Sequence, residues 1–504
     1  MRPHRGSSHN DVPSPARQSA GSALDLCTHV VALADGRAAY AEARHVALDQ
    51  ERLAVEGGHI DEADRSTSEG LGIRVRVSGG WGFAATRDVS AAGAEAALRR
   101  ALAMAESQPA GRPAALAPID APARGHWVSS WTTDPFALAL EEKLALLVAA
   151  EAALREGGDA RLIRTLAESS ARRERKAFAS TDGAACTQET VSCGGGLAAW
   201  AAGGGDVQVR SYPLAHGGDV AAAGWEQVTA LDLVGAAPRV AAEALELLTA
   251  PVCPAGERTI VLHGEQVALQ VHESIGHALE LDRMQLYEAS YAGTSWVRPP
   301  DLGALRYGSD ALTITADATV PGGLGTFGWD DEGVPAARTT LIEHGTLRAA
   351  LSNREAAAEA GLPRSGGCAR AEGFARQPIV RMTNVNLEPG DGGTLEDLIA
   401  GTDDGLYFET NRSWSIDDRR LQFQFACEVA REIRGGELGR LYRNGSYAGI
   451  TPRFWGSLDA VGSAGAWRLW GLTNCGKGEP GQVMAVSHGT APARFRDVQV
   501  GVAS

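Results

Sequence analysis

Two histidines lie five positions apart in residues 271–277, Val-His-Glu-Ser-Ile-Gly-His, and a thiol follows far downstream at Cys475. Two imidazoles and a thiolate are ligand types that hold zinc, and a catalytic zinc site needs three protein ligands with a fourth position left open. Glu273, beside the first histidine, could serve as the base that takes a proton from the attacking water. These residue types therefore predict a metal-dependent hydrolase.

The spacing of His272 and His277 differs from the common four-residue interval. Five residues correspond to about 500° around a regular α-helix, so the two rings would lie roughly 140° apart. A π-type turn brings positions five apart onto one face, and Gly276 lowers the steric cost of that distortion. The spacing thus predicts a π-type turn if the histidines bind one cation, and an ordinary buried helix if they do not.

The surroundings of the histidines favour a metal. Residues 258–263 are predicted to form a strand, and a helix is predicted to begin at Gly264. Apolar residues cover most of the circumference of this helix, which indicates burial. Burying two imidazoles and a carboxylate is unfavourable unless they are paired or bind a metal, and the nearby sequence offers only Arg283 as a partner.

The residues leave three candidates for the third ligand. Glu280 and Asp282 follow His277 closely, and carboxylate oxygens suit zinc. Cys475 is followed by several glycines that let the backbone approach closely, and Lys477 would favour its thiolate. A buried free thiol is the alternative for Cys475.

Several motifs occur in an order typical of one family. They are the HExxxH stretch of residues 272–277 with its continuation to Asp282, residues 330–335 (Asp-Asp-Glu-Gly-Val-Pro), residues 381–384 (Arg-Met-Thr-Asn) and the closing run of residues 475–489. In these motifs, which span about half of the chain, the sequence resembles the TldD/PmbA family, and its TldD branch in particular. A hairpin after Gly72 extends the likeness toward the N-terminus.

The resemblance implies that His272, His277 and Cys475 hold a zinc ion (Zn²⁺) and that Glu273 is the catalytic base. The PmbA (TldE) branch lacks the metal motif and acts as the partner, so this chain is expected to be the catalytic subunit. The resemblance further implies unfolded or short peptides as substrates, for leader removal or degradation, bound as extended strands in a cavity between two subunits. We therefore expect a dimer, either a heterodimer with a PmbA (TldE)-like subunit or a homodimer.

Four further polar residues could assist such a site. Asp330, Asp331 and Glu332 could orient the histidines from behind, although a solvated turn would also explain them. His488 is a candidate for stabilising the oxyanion that forms at the peptide carbonyl, with a structural histidine as the alternative.

Composition excludes other classes of function. The net charge is −15, with 47 basic against 62 acidic residues, and the sequence lacks a basic patch with interleaved aromatic residues, so we expect no nucleic-acid partner. The seven cysteines are scattered and odd in number, which favours reduced thiols in the cytoplasm over a disulfide framework.

The first 22 residues are rich in Ser, Pro, Arg and His, and we expect them to be a disordered tail. They lack the apolar central region of a signal peptide. The chain also lacks a run of 18 or more apolar residues, so we expect no membrane span and a cytoplasmic location.

The expected fold class is α+β, in two domains. Residues 23–235 are predicted to form a domain of mixed sheet and helix, with strands near 38–47 and 53–56, a hairpin over 73–84, and helices over 91–107 and from Asp134. Residues 236–504 are predicted to form a strand-rich domain that contains the metal-binding helix.

Two rival functions remain at this stage. One is a cysteine peptidase with Cys475 as nucleophile and His277 or His488 as base. The other is a non-catalytic subunit that binds peptide and holds a structural zinc with four protein ligands.

Overall fold

The computed structural model of the protein describes residues 15–108 and 116–501. Helices and strands are mixed within them, as the predicted α+β class requires. The first helix, α1, spans Pro15–Ala34 and so includes residues 15–22, which were expected to belong to the disordered tail. The predicted disordered tail falls largely on residues 1–14, which lie outside the described residues.

One eight-stranded sheet organises the N-terminal part of the chain, in the order β3-β2-β1-β5-β6-β4, with β7 and β8 both pairing with β6. Its strands are β1 Tyr40–Glu56, β2 His59–Val77, β3 Gly80–Thr86, β4 Arg124–Val128, β5 Leu162–Ser180, β6 Ala185–Gly203, β7 Asp206–Tyr212 and β8 Asp219–Ala221. The helices that accompany it are α1, α2 Ala91–Ser107, α3 Leu140–Leu154, α4 Glu226–Ala230 and α5 Leu233–Thr249.

The two faces of this sheet have different neighbours because side chains alternate along a strand. On β1, Ala41 and Ala43 join the apolar core under α1 and α2, while Leu53 and Val55 join the core that α3 and α5 complete. Arg44, which points to the opposite face, donates to the carbonyl oxygens of Gly373 and Arg376. One face is therefore covered by helices, and the other contacts the C-terminal part of the chain.

The C-terminal part contains a seven-stranded sheet in the order β16-β9-β23-β19-β17-β18, with β20 pairing with β23, a four-stranded sheet in the order β12-β11-β10-β15, and the pairs β13-β14 and β21-β22. The strands are β9 Gly256–Leu262, β10 Ile314–Asp317, β11 Arg338–Glu343, β12 Thr346–Leu347, β13 Ala369–Arg370, β14 Ile379–Val380, β15 Val385–Leu387, β16 Asp404–Ile416, β17 Gln422–Arg434, β18 Glu437–Tyr442, β19 Gly445–Ile450, β20 Leu458–Val461, β21 Arg468–Lys477, β22 Gln482–Thr490 and β23 Ala493–Val500. The helices are α6 Gly264–Val271, α7 Leu281–Met284, α8 Arg354–Glu359, α9 Leu395–Ala400 and α10 Thr451–Gly456.

Helix α6 follows strand β9 directly and enters the largest apolar core of the described residues. The strand predicted over residues 258–263 is observed as β9, which ends at Leu262, and the predicted helix start at Gly264 is confirmed. Helix α5 packs its apolar side against the core of the N-terminal sheet. The domain boundary after residue 235 stays a prediction.

Local structure agrees with the sequence at some elements and differs at others. The hairpin of β2 and β3 and the helix α2 are confirmed. The helix expected from Asp134 begins only at Leu140, so that prediction was wrong. The Asp134 carboxylate instead accepts a hydrogen bond from the backbone N–H of Phe136 (2.9 Å) and stabilises a turn ahead of α3.

All seven cysteines lie within the described residues, and each is free and buried, in agreement with the expected absence of a disulfide framework. Among the helices of the described residues, none has the length and apolar character needed to cross a membrane.

Candidate metal centre

The backbone changes its helical winding where the histidines occur. After α6, residues His272–Gly276 form a π-helix, and His277–Leu279 continue as a 3₁₀ turn. The wider π turn brings the rings of His272 and His277 together, with centroids 4.7 Å apart and planes at 81°. The predicted π-type turn is confirmed, and its consequence is that two residues five positions apart share one face.

Gly276 permits this turn to pack tightly. A Cβ atom at position 276 would lie 2.1 Å from the sulfur of Met382, closer than two atoms can approach. Met382 belongs to the Arg-Met-Thr-Asn motif, which therefore lies directly against the π-helix. A glycine at this position is required by the close approach rather than by an unusual backbone angle.

Cys475 reaches the histidines from strand β21. The pairing of β21 with β22 shifts its register between Leu472 and Cys475, and a bulge of this kind re-aims the side chain that follows. Arg381 fixes the backbone here by donating to the carbonyl oxygens of Cys475 and Gln482. As a result the Cys475 sulfur lies 3.6 Å from Nε2 of His277.

Donor atoms of His272, His277 and Cys475 all lie within 4.8 Å of one another, and all three residues are buried. Zinc binds imidazole nitrogen at about 2.0–2.1 Å and thiolate sulfur at about 2.3 Å, so tetrahedral ligands are separated by about 3.4–3.6 Å. The observed sulfur–nitrogen separation of 3.6 Å matches this value. Two neutral nitrogens and one thiolate form a donor set that fits zinc.

His488 determines which nitrogen His272 presents. Nδ1 of His488 lies 2.7 Å from the carbonyl oxygen of Val385, which can only accept, so this nitrogen must carry the proton. Nε2 of His488 then accepts a hydrogen bond from Nδ1 of His272 (2.8 Å). Nε2 of His272 is left with its lone pair, as a metal ligand requires.

Glu280 has the same effect on His277. Its Oε2 accepts from Nδ1 of His277 (3.0 Å) and from Nε of Arg283 (2.6 Å), and Lys477 lies 3.4 Å from the same oxygen. Glu280 is thus bound to the side of the ring away from Cys475, where it orients the imidazole. Asp282, the other carboxylate considered as a ligand, accepts from the Lys477 ammonium at 2.7 and 2.8 Å.

The electrostatics of the centre suit metal ligands. Burial lowers the pKa of His272 to about 4, and burial also lowers the pKa of His277 below its ordinary value, so both rings are neutral near pH 7. Burial would raise the pKa of the Cys475 thiol, but His277 and Arg381 outweigh burial and hold that pKa below its ordinary value. The expected role of Lys477 in favouring the thiolate is not observed, because its ammonium binds Asp282 and the carbonyl oxygen of Val380.

Glu273 is held by two side chains that the sequence analysis did not identify. Its Oε1 accepts from the indole Nε1 of Trp414 (2.9 Å), and its Oε2 accepts from Nη1 of Arg420 (2.7 Å). Both partners belong to the hairpin of β16 and β17, far from Glu273 in sequence. Arginine and tryptophan are common near hairpin turns, so the sequence alone offered no reason to assign Trp414 and Arg420 to the site.

The carboxylates of the Asp-Asp-Glu motif have partners away from the histidines. Asp330 accepts from three backbone N–H groups, those of Glu332, Val334 and Ala369. Asp331 pairs with Lys176 of β5 (3.1 Å). Glu332 pairs with Arg74 of β2 (2.8 Å). These contacts connect the motif to the N-terminal sheet, and the suggested role in orienting the histidines stays a prediction.

We expect the substitution His488→Phe to weaken zinc binding about 10–100-fold, because Nδ1–H of His272 would lose its acceptor. The substitution His488→Gln keeps an acceptor and should recover part of the affinity. Zinc affinity would be measured by competition with a chelating dye, with His126→Phe, a histidine bonded to Thr187 in the N-terminal sheet, as the control. Unchanged zinc affinity in His488→Phe would contradict the role assigned to His488.

Matches to known proteins cover most of the chain. A family model for the PmbA/TldA metallopeptidase C-terminal domain matches residues 255–502. Models for domain 1 and for the central domain of the same family match residues 41–105 and 133–250. The metal centre described above lies within the region that the C-terminal model matches.

Individual relatives agree with these matches. A metalloprotease of Methanothermobacter thermautotrophicus is 30% identical over 467 residues, which cover 93% of this chain and 96% of the relative. A zinc metalloprotease TldD homolog of Saccharolobus solfataricus is 26% identical over 252 residues, which cover 49% of this chain and 52% of the relative. The crystal structure of TldE from Thermococcus kodakarensis has the same fold, with a TM-score of 0.74 at 16% identity over 95% of this chain and 100% of that one.

Proposed function

The chain belongs to the PmbA/TldA metallopeptidase family, and we propose that it is a zinc-dependent peptidase that hydrolyses peptide bonds in unfolded or short peptides. The observation that supports this most directly is the convergence of donors from His272, His277 and Cys475 within 4.8 Å. The names of the relatives, metalloprotease and zinc metalloprotease, support the same reaction class.

His272, His277 and Cys475 would hold the zinc ion through two imidazole nitrogens and one sulfur. When bound, zinc acts as a Lewis acid that polarises a peptide carbonyl and lowers the pKa of water toward neutral pH. His488 and Glu280 hold the two imidazoles in the orientation that leaves their Nε2 atoms available. The three ligand side chains are buried, which fixes their positions around the site.

Glu273 is the base in this proposal. A carboxylate oxygen of Glu273 takes a proton from the attacking water and later transfers it to the nitrogen of the departing amine. Trp414 and Arg420 orient the carboxylate by bonding one oxygen each. Because each oxygen keeps a second lone pair, either can accept the proton while the carboxylate stays anchored.

The substrate would bind as an extended strand, with main-chain hydrogen bonds supplying affinity. We propose a dimer as the working form, either with a TldE-like subunit or with a second copy of this chain. The similarity of the fold to TldE supports a shared architecture for two such subunits.

Removal of metal tests the proposal against the cysteine-peptidase alternative. Chelation should reduce cleavage of random-sequence peptides at least about 100-fold, because Lewis-acid activation of the carbonyl and of water is lost, and one equivalent of zinc per chain should restore it. The assay would be run on the chain alone and with a TldE-like partner. Cleavage that survives complete removal of metal would overturn the proposal, and stoichiometric zinc without any turnover would indicate a binding subunit.

A further inference from the structure

One cavity is lined in part by Trp414, whose indole donates a hydrogen bond to Glu273. Three leucines, Leu214, Leu269 and Leu472, line it together with the indoles of Trp414 and Trp470. Its volume of ≈ 50 Å³ is about four times the 10–15 Å³ that one water molecule needs. This volume corresponds to a side chain of about four heavy atoms, the size of leucine. We call this cavity the leucine-lined pocket.

Three lining residues connect the leucine-lined pocket to the candidate metal centre. Ala268, in its wall, lies one helical turn before His272, which is about 6 Å along the axis. Asn474, also in its lining, precedes Cys475 directly, and Trp414 donates a hydrogen bond to Glu273. An extended peptide advances about 3.3–3.6 Å per residue, so a side chain within two residues of the cleaved bond would reach the pocket.

The charges around the pocket favour an apolar occupant. Glu265 is the acidic member of its lining, and its carboxylate already accepts from the backbone N–H of Thr410 and lies 3.7 Å from His263. A second charge entering here would lose its hydration without a free partner. An aliphatic side chain would instead exchange water for contacts with leucine and indole surfaces.

We propose that the leucine-lined pocket binds an aliphatic side chain of about the size of leucine, at a substrate residue next to the cleaved bond or one removed from it. This inference rests on the proposed peptidase function and adds the substrate class. Leu214, Leu269 and Leu472 are then the specificity-determining residues. Leu214 lies on the segment between β7 and β8, so the N-terminal part of the chain contributes directly to substrate choice.

Equilibrium binding tests the pocket separately from catalysis. The zinc-loaded Glu273→Gln protein would be titrated with fluorescent peptides that carry Leu, Ala, Asp, Lys or Trp at one scanned position. At the position that meets the pocket, we expect the Leu peptide to bind about tenfold or more tightly than the Ala and Asp peptides. Equal affinities at every position, or tightest binding by Lys, would overturn the proposal.

Variants of the pocket give the matched comparison. In the same Glu273→Gln background, Leu214→Asp should abolish the preference for Leu over Ala, and zinc content would be measured to show that the metal centre persists. Leu214→Phe fills the cavity with an apolar group and should shift the preference from Leu toward Ala, so the test holds even if the aspartate variant folds poorly. Leu438→Asp alters an exposed leucine on β18 and should retain the preference.

The outcomes separate this proposal from the proposed function. Cleavage by the unsubstituted protein without any preference for Leu would refute the pocket and leave the peptidase standing. A preference for Leu in binding, with no cleavage by the unsubstituted protein under any condition, would refute the peptidase and leave the pocket as a peptide-binding site.

Discussion

The substitution Glu273→Gln is expected to reduce peptide hydrolysis about 10²–10⁴-fold while zinc stays bound at one equivalent per chain. Glutamine has nearly the same shape and can still accept from Trp414, but its amide cannot take a proton from water at neutral pH. The metal ligands are unchanged, so zinc should stay bound while proton transfer is lost. The measurement pairs kcat/KM on an unfolded peptide with the zinc content of the same sample.

The control for this variant is Glu437→Gln, which alters an exposed glutamate at the start of β18 and should leave both quantities unchanged. The ion pair of Glu273 with Arg420 is lost in the glutamine variant, so thermal unfolding would be recorded to show that the fold persists at the assay temperature. Full activity of Glu273→Gln would refute the role of Glu273 as the base.

The substitution Cys475→Ser is expected to remove both the metal and the activity. A serine hydroxyl stays protonated near neutral pH and is a poor substitute for a thiolate, so zinc would keep only two good protein ligands. Losing a group that merely orients a ligand costs about 10–100-fold in affinity, and losing a ligand should cost at least the upper end of that range. Zinc content after dialysis and cleavage of the same peptide set would be compared.

Cys368→Ser supplies the matched control. Cys368 is also a buried free thiol of the C-terminal part, and its sulfur donates to the carbonyl oxygen of Gly366, a bond that serine can replace. That variant should keep zinc and activity. If Cys475→Ser retained stoichiometric, tightly bound zinc, the thiol would not be a ligand.

Local patterns allowed the histidine segment to be predicted from sequence. The five-residue interval is incompatible with a regular helix that binds one cation, and the π-helix of residues 272–276 resolves this conflict. The strand β9 and the start of α6 were also predictable, since apolar runs and the flanking glycine act over a few residues. In each case the determinant lies within one element.

Partners distant in sequence could not be predicted. Glu280 was considered as a third metal ligand. In the structure Lys477, which is distant in sequence, lies beside the Glu280 carboxylate, and this pairing could not be predicted. Trp414 and Arg420 reach Glu273 from the hairpin of β16 and β17, more than 140 residues along the chain, and nothing in their own sequence marks them. Long-range ion pairs of this kind leave no periodic pattern in the sequence.

The same limit applies to β1. Strands were predicted near 38–47 and 53–56, but the structure has one continuous strand. Asp49 pairs with Arg175 (2.7 Å), and Glu51 pairs with the buried Lys143. Charges that would interrupt an isolated strand are thus neutralised by a neighbouring strand and a helix.

The zinc coordination shell tests the central claim most directly. X-ray absorption at the zinc edge of the purified protein should show one sulfur at about 2.3 Å and two imidazole nitrogens at about 2.0–2.1 Å, with a light atom completing the shell. The sulfur signal should be absent from Cys475→Ser reconstituted with excess zinc, and should persist in Cys368→Ser. A shell without sulfur, or one filled by four protein ligands, would contradict the proposal that His272, His277 and Cys475 hold a catalytic zinc.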